Sequence, residues 1–329
     1  MEDNVKDATL NPVEVVVIGG AHTDLQLFTV GDDILSGPTY KVQEMLLAVG
    51  GDAIDEATVL TRLGHKVRLV SCIGDDLIGS LVLKHCKDNH IDTSYIKVDP
   101  AKVTSINVGL IQADGERTFV NNLSGSLWTF SNSDLPQDAA DAGKILSFAS
   151  FFNNPLLEAQ GMIPFFDRAK ERGMTICADL VTPKKGETLA DIREALSYVD
   201  YFFPNYPEGA NLTGEKTPEG IADALLACGV KNVVLKLGKE GCLFKNTAES
   251  FRTPAYPHTK CIDTTGAGDS FASGFICGLL EGWDLRTCAA YANCTASLAV
   301  ETIGATTGVV SREAVDERYR AYVGAVRSA

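Results

Sequence analysis

Short β-branched apolar runs alternate with helical periodicity along most of this chain, and that alternation constrains the fold more than any single residue does. Residues 13–19 form a mostly apolar run closing in Gly19-Gly20, and residues 67–72, 145–149, 175–178, 201–203 and 233–236 repeat the type. Between them, residues 53–63, 78–85, 155–172, 189–198 and 218–228 carry apolar side chains at helical spacing. Buried strands separated by amphipathic helices predict an α/β chain: a mainly parallel sheet with helices on both faces. Beyond Ser270 the pattern predicts three helices, over residues 271–281, 285–299 and 312–326.

Two stretches interrupt the alternation. Residues 21–45 and 92–125 carry shorter, more polar strands, and Asp114-Gly115 between residues 103–112 and 116–122 is a tight-hairpin signal. An ordinary surface hairpin is one reading; a small β lid over the ligand edge of the sheet is the other. With no internal repeat or long linker in 329 residues, we expect one core built from residues 1–20, 46–91 and 126–329, with the lid as insertions in it.

A formal net charge of −14 argues against general binding to nucleic acid or to an anionic membrane surface. No apolar run reaches membrane-spanning length, and the acidic start Met1-Glu2-Asp3-Asn4 opposes a secretory signal, so a cytoplasmic location is expected. The nine cysteines include no C-x-x-C pair and mostly sit in apolar surroundings, which predicts reduced core residues.

Chemistry concentrates at Asp263-Thr264-Thr265-Gly266-Ala267-Gly268-Asp269-Ser270, a glycine-rich turn ending in a carboxylate at the start of a helix. Unpaired N–H groups at a helix N-terminus suit an anion, and a carboxylate beside them can take a proton from a hydroxyl. Phe271, Phe275 and Leu279 recur one turn apart on the following helix, while Gly274 and Gly278 permit close approach of another backbone. The P-loop pattern is absent, and the dinucleotide fingerprint fails because Phe271 stands where Gly or Ala is required.

The turn at 263–269 resembles the C-terminal signature of the ribokinase-like (PfkB) carbohydrate kinase family. Other motifs follow in order: Gly19-Gly20-Ala21-His22-Thr23-Asp24, Gly50-Gly51-Asp52-Ala53-Ile54-Asp55, Asn205-x-x-Glu208, and Lys236-Leu237-Gly238 with Gly241. The resemblance extends over about residues 13–320 and implies a three-layer α/β/α core with a small β-sheet lid. It implies ATP and Mg2+ as cofactors, with K+ at a monovalent-cation site. Asp269 becomes the base and the Gly266, Ala267 and Gly268 backbone the anion hole. Asp24, Gly50, Gly51 and Asp55 fall on the sugar side, and Asn107, Asn121 and Asn122 of the lid read either as sugar contacts or as the hairpin's own pairing. Asn205, Lys236, Gly238, Gly241 and Asn293 fall on the nucleotide side, with Glu208 organising Mg2+ indirectly. Asp263, with Thr265, Ala299, Thr302 and Gly304, matches the cation site, although Asp263 also reads as a residue that fixes the turn. At a helix N-terminus, Asp269 is expected to have a depressed pKa.

The sequence departs from the family where the substrate would sit. Asp55 replaces a usual Asn, and Asp52 a usual Lys of ribokinases, so the pocket is rich in acceptors. That favours a neutral polyol or an amine-bearing substrate over a sugar phosphate; Asp52 pointing outward is the competing possibility. His22 reads equally as a sugar contact or as packing, Arg117 as part of its own hairpin, and Lys184 and Lys185 as solvated or phosphate-facing. The leading expectation is a small-sugar kinase. The alternatives are a nucleoside kinase on the same scaffold and a silent sugar- or nucleotide-binding homologue. Edges and an apolar face left by the lid, with the habit of the family, imply a homodimer through the lid.

Overall fold

The computed structural model describes residues 13–113 and 117–328, so Met1-Glu2-Asp3-Asn4 and the Asp114-Gly115 turn lie outside the described residues. Among the described residues there are thirteen strands: β1 (Val15–Ile18), β2 (His22–Phe28), β3 (Glu44–Gly50), β4 (Val67–Gly74), β5 (Asp92–Asp99), β6 (Ile106–Ile111), β7 (Arg117–Asn121), β8 (Ile145–Phe151), β9 (Thr175–Leu180), β10 (Tyr201–Phe202), β11 (Asn232–Lys236), β12 (Cys242–Asn246) and β13 (Ser250–Thr253). Nine form the central sheet, in the order β13-β12-β11-β10-β9-β8-β1-β4-β5. It is parallel from β11 to β5, and β12 and β13 close one edge antiparallel.

The helices are α1 (Asp52–Arg62), α2 (Leu77–Asp88), α3 (Ser126–Thr129), α4 (Ala159–Glu171), α5 (Leu189–Leu196), α6 (Tyr206–Thr213), α7 (Pro218–Leu226), α8 (Ala267–Leu280), α9 (Leu285–Ala299) and α10 (Arg312–Ser328). Strand alternation assigns them to two layers. Val16 and Ile18 of β1 join Phe166 of α4, Leu196 of α5 and Leu225 of α7 in one core. Val15 and Val17 join Ala57 of α1, Phe275 of α8 and Ala289 of α9 in the other. The predicted helix starts and ends are met to within a few residues, whereas α6 and the β12–β13 hairpin were not foreseen. All nine cysteines are free thiols, eight of them buried and Cys261 exposed.

The remaining four strands form a separate sheet in the order β3-β2-β6-β7. Two boundaries differ from expectation. Residues 92–99 pair with β4 as the edge of the central sheet, because buried Arg68 pairs with Asp92 at 2.9 Å and lies 4.6 Å over the Tyr95 ring. Residues 46–50, expected in the core, continue β3 alongside β2.

Helix α8 is deeply embedded, buried without interruption from Ser270 to Gly278. A Cβ at Gly274 would lie 2.9 Å from Ala292 Cα, and one at Gly278 3.1 Å from Cys288 Cα, so both glycines let α9 approach as expected. Burying Phe271 and Phe275 stabilises this anchor by roughly 1.5–3 kcal/mol each. The body of α8 is thereby fixed by packing.

Candidate active site

Two helix N-termini converge at the carboxyl ends of the parallel strands, where open α/β sheets place their ligands. α1 opens at Gly51 and α8 at Gly266, and the Ser273 hydroxyl of α8 donates to the Glu56 carbonyl of α1 at 3.2 Å. Gly266 has φ +70°, and a Cβ there would stand 2.3 Å from the Ala305 carbonyl oxygen. Only glycine satisfies both conditions. Of the expected anion-hole amides, Ala267 N–H is turned back to the Thr264 carbonyl at 3.3 Å. Gly268 lies beside Lys236, whose Nζ would be 3.0 Å from a Cβ at that position.

Lys236, at the end of β11, forms an ion pair with Asp179 at the end of β9. Around them stand Asp52, Asp55, Glu56, Glu208 and Asp269. Burial acts to lower the Lys236 pKa, but Asp179 and Glu208 outweigh it and hold the ammonium charged. Burial raises the carboxyls of Asp55 and Glu208, and it pushes Glu56 up to about 8. Asp269 is only partly buried, yet desolvation and the charge of Asp52 raise it to about 7, against the pull of Lys236. The expected depression is therefore overturned. A helix N-terminus favours the ionised form by less than one pKa unit, too little to offset desolvation beside other carboxylates.

The substrate-side residues meet at Gly50, where a Cβ would lie 2.1 Å from Asp24 Oδ2 and 3.9 Å from Asp55 Oδ2. Asn107 Nδ2 donates to Asp24 Oδ1 at 2.8 Å, and Asn121 donates to Asn107. Of the two neighbouring lid asparagines, Asn121 reaches Asn107, while Asn122 accepts from the Ile106 N–H at 3.3 Å. Asp52 points inward, its Oδ1 accepting from Gly20 N at 3.3 Å and Ala53 N at 2.8 Å. Gly51 (φ +118°) passes close to Gly20 and to His22, whose Nε2 is 3.5 Å from Asp24.

The five expected nucleotide-side residues, Asn205, Lys236, Gly238, Gly241 and Asn293, all line one cleft of about 570 Å³ that reaches Gly268. Asn205 and Glu208 also cap α6 reciprocally, Asn205 Oδ1 accepting from Glu208 N at 2.9 Å and Glu208 Oε2 from Asn205 N at 3.1 Å. Asn293 Nδ2 donates to the Thr253 and Pro254 carbonyls, both at 3.2 Å, so its own position is fixed. Lys184 and Lys185 are engaged by Asn153 and Pro155.

Asp263 is held by Thr265 N at 2.9 Å, Thr265 Oγ1 at 2.7 Å and Gly304 N at 3.0 Å. Arg117 Nη2 adds an ion pair at 3.0 Å, and Nη1 donates to Thr265 Oγ1 at 2.6 Å. These donors overcome the effect of burial and keep the carboxyl below its usual range. Thr302 is engaged with Thr307 at 2.8 Å, and Ala299 is fully buried at the end of α9. The contribution of Arg117 was missed because a lone cation at a strand end reads as hairpin pairing. Asp179 and Glu56 were missed because single acids in apolar runs carry no motif.

Residues 13–312 match the model of the pfkB family carbohydrate kinases. A 2-dehydro-3-deoxygluconokinase of Bacillus subtilis is 30% identical over 84% of this chain and 88% of its own length. A ribokinase of Staphylococcus aureus is 30% identical over 92% of this chain and 99% of its own. Among solved structures, Arabidopsis thaliana ribokinase complexed with ribose and ATP superposes with a TM-score of 0.80 at 24% identity, covering 94% of this chain and 99% of that one. A ribokinase of Thermotoga maritima does so at 0.78 and 25% identity, covering 94% and 99%.

Proposed function

The chain belongs to the pfkB family of carbohydrate kinases, sugar and nucleoside kinases that phosphorylate an alcohol, and from that premise we propose that it transfers the γ-phosphoryl group of ATP to a hydroxyl of a small unphosphorylated sugar. The observation that carries the reading is the surroundings of Asp269: a carboxyl raised to about 7 feels Asp52 and Asp55 of the substrate-side group and also Lys236, which lines the cleft with Gly268. A base poised near neutrality accepts the acceptor proton efficiently. First-turn amides of α8 and the Lys236 ammonium would stabilise charge on the transferred group.

The residues present fit a divalent cation. Asp52, Glu56, Asp179, Glu208 and Asp269 bring five carboxyl groups to one lysine, and burial raises Glu56, Asp179, Glu208 and Asp269, a cost that a divalent cation would relieve. Glu208 and Asp179 would hold Mg2+ beside the phosphates, where it supplies charge neutralisation. Potassium fits less well, since Asp263 already accepts from backbone, hydroxyl and guanidinium donors.

For the acceptor, Asp24 and Asp55 offer lone pairs to O–H donors, and the Asn107–Asn121 chain orients Asp24. The Asp24 carboxylate would repel a phosphorylated sugar. We further propose a homodimer through the lid. By register, Leu25, Leu27, Met45, Leu47, Val108 and Val120 share the face opposite Asp24, and Met45 (60% exposed), Leu47 (51%) and Val120 (52%) stand well into solvent. Among the described residues no helix is long and apolar enough to cross a membrane. Coupled ADP release across neutral sugars, sugar acids, nucleosides and sugar phosphates tests the reading, which fails if no panel member is turned over or if a sugar phosphate is preferred.

A further inference from the structure

The opposite end of α8 carries a second group of chemically competent side chains. Cys277 and Glu281 stand four residues apart, one on the last turn and the other at the C-cap, so their side chains share a helix face. His65, in the loop between α1 and β4, completes the group: one ligand atom from each of the three residues lies within 4.8 Å of the others.

The imidazole is set up in an unusual way. Its Nδ1 faces Glu14 Oε2 at 3.3 Å, while Nε2 is buried and has no hydrogen-bond partner. The side chain is 6% exposed, so solvent does not serve that nitrogen either. An orphaned buried acceptor costs about 1–3 kcal/mol, and nothing in the proposed phosphoryl transfer uses this residue. A carboxylate that fixes one ring nitrogen and leaves the lone pair of the other free is the arrangement that supports metal-ligating histidines. Burial also lowers the His65 pKa, which favours the neutral ring. Glu281 Oε1 is held by Arg312 Nη1 at 2.7 Å, and the same nitrogen lies 3.4 Å from the Leu63 carbonyl.

We propose that His65 Nε2, the Cys277 thiolate and a Glu281 carboxylate oxygen form a binding site for a thiophilic divalent ion of the zinc class, with water as the fourth ligand. Mixed N, S and O donors in a set of three suit tetrahedral Zn2+, at about 2.0–2.3 Å from each ligand. Ligands around such an ion stand roughly 3.5 Å apart, so binding draws the three side chains together by about 1 Å. The Cys277 proton leaves to solvent when the metal–sulfur bond forms. Occupation ties the α1–β4 loop to the C-terminal end of α8, about 20 Å along the helix from its N-terminus.

The test is direct binding to the full-length chain after chelator treatment. Co2+ is titrated while the near-ultraviolet thiolate-to-cobalt charge-transfer band is followed, and Zn2+ is then added to displace it. The expected result is saturation at one ion per chain in the native protein and in Cys261→Ser, with the band abolished in Cys277→Ser. His65→Gln and Glu281→Gln should each bind at least about tenfold more weakly. No band in the native protein, a band retained in Cys277→Ser, or one lost in Cys261→Ser overturns the site. If Cys277→Ser fails to fold by circular dichroism, native affinity in both His65→Gln and Glu281→Gln overturns it. Binding is read without turnover, so the result is independent of the kinase reading.

Discussion

The Arg117 guanidinium, carried by lid strand β7, lies 3.0 Å from the Asp263 carboxylate in the turn that opens α8. One side chain therefore joins the lid sheet to the segment that carries Asp269. It also reaches Thr265 Oγ1 at 2.6 Å and Thr264 Oγ1 at 3.1 Å, so removing it takes a charged donor from three acceptors at once. Arg117→Gln is expected to reduce kcat/KM for the acceptor by about tenfold or more, on the scale of a lost charge-assisted contact of roughly 1.5–3 kcal/mol. Steady-state kinetics checks this, and an unchanged kcat/KM would refute the coupling.

The same pairing bears on cation dependence. With Asp263 held by chain donors, replacing K+ by tetramethylammonium at constant ionic strength should change the initial rate by less than about twofold, because a fully answered carboxylate gains little from another charge. A strong requirement for K+ would show that the ion competes successfully with Arg117.

Asp269 must be deprotonated to act as a base. With its carboxyl raised to about 7 by burial and Asp52, kcat/KM should rise tenfold per pH unit below neutrality and level off above it. Lys236 pulls this value down, so Lys236→Met should move the rising limb to higher pH as well as slow the reaction. Asp269→Ala should lose on the order of 10²–10⁴-fold in rate, and near-normal turnover in that variant would exclude the assigned role.

Glu56 gives a stability prediction. Burial raises its carboxyl from the reference 4.5 to about 8, so the folded chain binds a proton that the unfolded chain releases. The associated stability is complete below about 4.5 and lost as pH rises through about 8. The metal- and nucleotide-free protein should melt progressively lower between pH 6 and pH 9, and Glu56→Gln should flatten that slope. Calorimetry of both proteins across the range decides it; parallel slopes would contradict the account.

Substrate charge can be checked at the lid. Asp24→Asn keeps the shape of the pocket and removes one carboxylate, so discrimination against a sugar phosphate relative to its parent sugar should narrow by several-fold. Competition assays with the two acceptors measure the ratio, which should stay fixed if Asp24 plays no part in rejecting charge.

The core was legible because parallel strands buried on both faces and their covering helices each leave a strong local period, as residues 145–149 and 285–299 do. The turn at 263–269 was legible because glycine and acid are required at fixed offsets. What sequence obscured were relationships between distant segments. Arg117 meets Asp263 only after the lid folds over, pairing register decides which of Asn121 and Asn122 stands opposite Asn107, and β5 joins the core through Arg68. The Asp269 pKa went astray for the same reason: the helix dipole is a local property, whereas desolvation beside Asp52 and Glu208 is assembled from three separate segments.

The lid strands write two texts on alternate residues. Asp24, Asn107 and Asn121 stand on the face turned to the cleft, while Leu25, Val108 and Val120 stand on the reverse. Because side chains alternate strictly along a strand, a single inserted or deleted residue in β2 would exchange the two faces. Such a change would bring leucines into the acceptor pocket and place a carboxylate on the apolar exterior. The lid can therefore evolve by substitution on either face independently, but scarcely at all by changes in its length.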